Sequence, residues 1–139
     1  MISHDAFAAL RLGPFRSDAE VEELEDWEYE GRIWVGESIG FSEWLCLEQT
    51  PDRLGSITLD FNEFPEEAAP RVLEALELPL RPGMTFEEIK EILGEPARTL
   101  RFGSSRLTYE FNTPAPEPYQ ISCTVHNENG LIYLGVMIP

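Results

Sequence analysis

The sequence predicts an α+β fold: helices packed on an antiparallel β-sheet, with the two halves as candidates for a tandem pair of helix-plus-meander units. Three observations carry this. Residues 85–93 hold every local signal of a short, capped helix. After it, apolar residues recur with a period of two in successive runs. The first half repeats the order, a helix stop followed by alternating runs, less cleanly. A chain of 139 residues fits one domain, and 42% hydrophobic with 11% aromatic residues is enough to build a core.

Taken in order, Ser3 is placed to cap a helix running to about Leu12, closed by Gly13-Pro14. Ser17 and Glu20 stand at capping-box spacing and predict a second, short acidic helix. Trp27, Tyr29, Ile33 and Val35 then alternate with Glu28, Glu30, Arg32 and Trp34, which is strand spacing. Trp44–Glu48 and the run Ile57, Leu59, Phe61 predict two more strands, with Pro51-Asp52 and Gly55 as the turn between them. Pro65–Leu78 predicts a connecting helix that begins near Pro70, because proline fits a first helical turn and not an interior.

Thr85 and Glu88 form a T-x-x-E capping box, and Met84 and Ile89 occupy the hydrophobic-staple positions. Phe86, Ile89, Ile92 and Leu93 make one apolar face; Gly94 supplies the stop and Pro96 prevents continuation. Arg98–Phe102 predicts a strand, and Gly103-Ser104-Ser105 a hairpin turn. Leu107, Tyr109 and Phe111 alternate with polar residues, as do Tyr119, Ile121, Cys123 and Val125, and then Ile132, Leu134, Val136 and Ile138. Asn112–Pro118 contains three prolines and reads as a stiff loop, and Asn129-Gly130 as a hairpin turn.

The expected organisation is a first helix-plus-sheet unit over 1–64, a connecting helix and linker over 65–81, and a second unit over 82–139, compatible with one compact domain. An offset of 77 residues sets Cys46 on Cys123 and Leu54 on Leu131.

The segment Gly83-Met84-Thr85-Phe86-Glu87-Glu88-Ile89-Lys90-Glu91-Ile92-Leu93-Gly94-Glu95-Pro96 resembles the G-[MS]-[TS]-x-x-x-[VI]-x-x-[IL]-[LI]-G-x-P segment of the BamE (SmpA/OmlA) family. The same type of helix occurs in proteins folded like the β-lactamase inhibitor protein, which repeats a helix-on-sheet unit in tandem. The resemblance covers about residues 82–138 and implies a helix packed on an antiparallel sheet. It also implies a binding or assembly scaffold in place of an enzyme. The lipoprotein signal and lipidated cysteine of BamE are not found here.

Nothing in the sequence forms a catalytic constellation. His4 and His126 have no metal-ligand spacing, and G-x-S-x-G, GxGxxG, Walker and calcium-loop patterns do not occur. No catalytic residue, metal or cofactor is therefore expected. Cys46 and Cys123 lie in apolar runs outside any CxxC motif and read as reduced, buried thiols. Met1–Arg11 lacks a basic start with an apolar h-region, so the expected residence is cytoplasmic. No apolar run approaches a membrane span, so no membrane partner is expected.

Charge is more informative. Lys plus Arg number 10 against 26 Asp plus Glu, a net −16, which argues against nucleic acid as a partner. Residues 1–95 hold 23 acids and 7 bases, and residues 96–139 hold three of each. Asp18, Glu20, Glu22, Glu23, Glu25, Asp26, Glu28 and Glu30 follow one another with no base between them. Such a run is either a solubilising surface or one that steers a basic partner. Trp34 falls among the charged residues of its run, which makes it a candidate interface anchor. The expected partner-binding set is thus Asp18, Glu22, Glu23, Glu25, Asp26, Glu28, Glu30 and Trp34. The expected function is a non-enzymatic acidic binding module, most concretely an inhibitor or immunity-type protein for a basic bacterial enzyme or toxin. The alternative is a BamE-like scaffold or assembly module.

Overall fold

The computed structural model describes residues 7, 10, 20–25, 29–35, 39–46, 54–62, 66, 68–113 and 118–137. Within them lie strands β1 (Glu20–Glu25), β2 (Tyr29–Val35), β3 (Ile39–Cys46) and β4 (Leu54–Asp60). Helices α1 (Ala69–Ala75) and α2 (Phe86–Leu93) come next. Strands β5 (Arg98–Phe102), β6 (Arg106–Asn112), β7 (Gln120–His126) and β8 (Gly130–Met137) complete the order. The strands form one antiparallel sheet in the order β1-β2-β3-β4-β8-β7-β6-β5. This is the expected α+β class: two four-stranded meanders joined where β4 pairs β8.

α1 carries Pro70 in its first turn, where an N–H would have no partner anyway. It buries Ala69, Val72 and Leu73. α2 is capped as its sequence dictates. The Glu88 backbone N–H donates to Thr85 Oγ1 at 3.3 Å, and the Thr85 N–H donates to Glu88 Oε1 at 3.1 Å. Both staple residues, Met84 and Ile89, are buried. Gly94 ends the helix at φ 83°, a conformation that suits glycine.

The core lies between the helices and one face of the sheet. Ile57, Leu59, Leu134, Val136, Ile121, Cys123 and Phe111 pack with Val72, Leu73, Leu76 and Ile89. Phe7 and Leu10 join the same core, and the Phe7 ring meets Tyr119 edge-on at 5.1 Å. Of the helix expected over residues 3–12 only these two are described; the rest lies outside the described residues.

Two expectations are corrected. The acidic helix expected from Ser17 and Glu20 is strand β1 over Glu20–Glu25, paired along its whole length with β2, from Glu20 opposite Val35 to Glu25 opposite Glu30. A capping box is a local signal worth ~1 kcal/mol, and a ladder of cross-strand pairs outweighs it. Gly55, expected in a turn, lies inside β4.

The offset of 77 residues reappears in the pairing. It carries β2 at 29–35 onto β6 at 106–112. It carries Thr58 onto Gly135, and these two residues are paired with each other. Ile57 opposite Val136 and Leu59 opposite Leu134 are then equivalent pairs, so the β4–β8 register is the one a twofold axis through Thr58 and Gly135 requires. β3 and β7 depart from this, because the longer loop precedes β7 and follows β3.

Cys123 is a free, buried thiol. Its strand, β7, is separated from β3, which carries Cys46, by β8 and β4. Three strand spacings amount to about 14 Å, beyond disulfide reach.

Candidate functional site

Residues directly opposite one another on neighbouring strands share a face of the sheet. One rung runs Val21, Trp34, Phe41, Leu59, Leu134, Cys123, Tyr109, Thr99, and at its centre Leu59, Leu134 and Cys123 are buried under the helices. The next rung, of opposite parity, runs Glu22, Ile33, Ser42, Thr58, Gly135, Ser122, Glu110, Arg98. It belongs to the helix-free face.

Of the expected partner-binding residues, Glu22, Glu23 and Glu25 lie on β1, and Glu30 and Trp34 on β2; Asp18, Asp26 and Glu28 lie outside the described residues. Glu25 and Glu30 are brought directly opposite each other, and Glu23 stands opposite Arg32. Glu22 holds a position on the helix-free parity, whereas Trp34 shares the rung of the buried leucines. The described members of the set therefore occupy positions at one end of the sheet but not on one parity. Because β1 comes last in the strand order, it is paired on one side only among the described residues.

The other end is chemically different. All three bases of residues 96–139 lie there: Arg98 and Arg101 on β5, and Arg106 on β6. Arg98 pairs with Glu110 at 3.2 Å, and Gln120 Nε2 donates to the same carboxylate at 3.2 Å. Beside this edge a groove of about 400 Å³ opens between α2 and the sheet. Phe86, stacked on Tyr109 at 4.0 Å, lines it together with Leu107, Val125, Arg101 and Arg106. Sequence reasoning passed over this basic end, because three acids in the same 44 residues cancel its charge in the sum.

The helix-free face carries a hollow of about 470 Å³ lined by Thr108, Thr124, Ser122, Asp60, Leu100 and Tyr133, among others. Thr108 and Thr124 share a hydroxyl hydrogen bond of 2.8 Å there. Among the described residues, Tyr133 and Met137 are the exposed large apolar residues, both on this face.

The titratable candidates have structural roles. His126 Nδ1 accepts from the backbone N–H groups of Glu128 and Asn129 at 3.1 and 3.2 Å, closing the β7–β8 turn. Burial pushes the Cys123 thiol up to about 12, far from a reactive thiolate. Among the described residues no group of three His, Cys, Asp or Glu is arranged to hold a metal ion. No helix among them is long and apolar enough to cross a membrane.

No protein-family model matches this chain, so the BamE resemblance rests on residues 83–96 and the strands after them. No curated protein matches it either. A solved structure is similar: the crystal structure of a DUF4309 family protein (YjgB) from Bacillus subtilis subsp. subtilis str. 168. The similarity has a TM-score of 0.39 at 11% identity and covers 91% of this chain and 69% of that one.

Proposed function

We propose that this chain is a non-enzymatic protein-binding module whose acidic sheet edge captures a basic protein, in the manner of an inhibitor or immunity-type protein. One observation carries the reading: the acidic run is an edge strand and its neighbour. An edge strand offers backbone N–H and C=O groups to an incoming extended segment, which adds to the sheet as a further strand. Like charges directly opposite each other, as at Glu25 and Glu30, cost stability, and a partner's Lys or Arg relieves that cost. Specificity for a basic partner follows from the same acids, which steer it during encounter. Affinity then rests on the β1 ladder and its charge, with Trp34 of β2 as the proposed aromatic anchor.

The test is affinity capture from the source cell, with the full chain and with a variant carrying Glu22→Gln, Glu23→Gln, Glu25→Gln and Asp26→Asn. A basic protein held by the wild type and released by the variant is the expected result. Identical captures by both would sink the reading. The capped α2 helix, the feature behind the BamE resemblance, favours a second reading, a scaffold in a larger complex. A capture of several proteins indifferent to the four changes would speak for that.

A further inference from the structure

The acidic edge has a counterpart on its own molecule. Among the described residues the sheet ends at β1 on one side and at β5 on the other. β1 is EVEELE and β5 is RTLRF. Like-charged edges keep sheets from pairing edge to edge, but edges of opposite sign turn that safeguard into attraction. Direction also matches. Eight alternating antiparallel strands leave β1 and β5 running in opposite directions. A second copy set beside the first therefore continues the antiparallel sheet with its helices on the same side.

Face parity restricts the allowed registers to steps of two. The register that sets Leu24 opposite Leu100 keeps like faces together. It also sets Glu23 opposite Arg101 and Glu25 opposite Thr99. The apolar groove between α2 and the sheet lies next to this edge, with Arg101 on its lining.

We propose that the chain associates head to tail with itself, β1 of one copy adding to β5 of the next. The occupant is a second copy because one chain carries both complementary edges, at matching lengths of six and five residues. The contact is heterologous, so each addition leaves one edge of each kind open. Sheet twist of roughly 20–25° per strand makes about half a turn over eight strands, so the assembly winds onward without closing on the first copy. The inference rests on the reading of β1 as a docking edge, but it can fail alone.

Sedimentation of the full chain at ~0.1 M salt tests it, because the net repulsion between copies is then screened beyond about 10 Å while contacting edges still interact. Two charge-swapped variants accompany the wild type: Glu23→Lys with Glu25→Lys, and Arg98→Glu with Arg101→Glu. Circular dichroism checks that each is folded. The average mass of the wild type should rise with concentration from 15.8 kDa to at least twice that. Each variant alone should stay monomeric, since each sets like charges at the facing 23–101 position of the register. An equimolar mixture of the two should regain the wild-type rise, because swapped edges again face opposite charges. A wild type that stays at monomer mass, or a mixture that regains nothing, overturns the proposal. A monomeric wild type that still captures a basic protein through β1 overturns self-association and leaves the proposed function standing.

Discussion

Gly130 answers to two constraints at once. Its φ of 71° disfavours any side chain, and a Cβ built there collides with the carbonyl groups of Gly83 and Met84. The crowding has a purpose. Gly83 N–H donates to the Leu131 carbonyl at 2.9 Å and Leu131 N–H to the Met84 carbonyl at 2.8 Å, clamping the entry of α2 onto β8. Gly94 is the natural control: φ is 83°, but nothing lies within 4 Å of its missing Cβ. Gly94→Ala should therefore cost only the backbone strain, ~1–3 kcal/mol. Gly130→Ala adds overpacking against backbone and should cost about 3 kcal/mol. Urea melts of the two variants decide it; equal losses would mean the clamp yields freely. Cys123 gives a second prediction at this scale. With its thiol pushed up to about 12 by burial, it should resist a maleimide at pH 8 in the folded chain and react after denaturation. Modification of the native Cys123 peptide, read by mass spectrometry, would refute the burial.

At the scale of elements, α2 shows what a local code can do. The Thr85 backbone N–H, and then its side chain, hold the Glu88 carboxyl below the ordinary value of 4.5. A carboxyl lowered in the folded state contributes stability above its unfolded value and loses that contribution as the pH falls through the folded one. Glu88→Gln should thus melt below the wild type at neutral pH, and the gap should close as the pH drops below 4.5. A gap independent of pH would remove the carboxylate from the cap. Thr85→Ala should cost ~1 kcal/mol at neutral pH and less once the Glu88 carboxyl is protonated, because the Thr85 hydroxyl also donates to that carboxylate. This helix was legible in the sequence because its cap, staple and stop are all contained in residues 83–96. β1 was not. Its local signals favoured a helix, and what made it a strand is the ladder to β2, which no local window contains. Near the sheet edge both parities carry charge, as Glu22 and Glu23 do on neighbouring rungs, so a charged neighbourhood no longer marks the solvent face.

At the scale of the whole molecule, the fold and the charge were legible to different degrees. Period-two runs announced the strands of the second half, but the pairing of β4 with β8 that joins the two meanders lies in no local window. The sum of charge, however, concealed its arrangement: acids at one end of a continuous sheet and arginines at the other. Stability and association should respond oppositely to that arrangement. Converting Glu22, Glu23, Glu25 and Asp26 to amides moves the net charge from −16 to −12. The register sets Glu25 opposite Glu30 and Glu23 opposite Arg32, so the changes take a charge from one like-charged and one oppositely charged position pair. Repulsion should win, because the segment from Asp18 to Glu30 holds eight acids and no base. The variant should therefore melt higher than the wild type at low salt, and the difference should shrink as salt approaches ~0.1 M, where exposed charges more than about 10 Å apart are screened. Encounter with a basic protein should slow in the same variant, since long-range steering is lost while the β1 backbone ladder is kept. Thermal melts over a salt series, paired with stopped-flow association against a basic protein captured by the chain, separate the two effects. A variant that melts lower at low salt would show that the arginine pairing prevails, and the acidic run would then be a structural ladder and not a stored repulsion awaiting a partner.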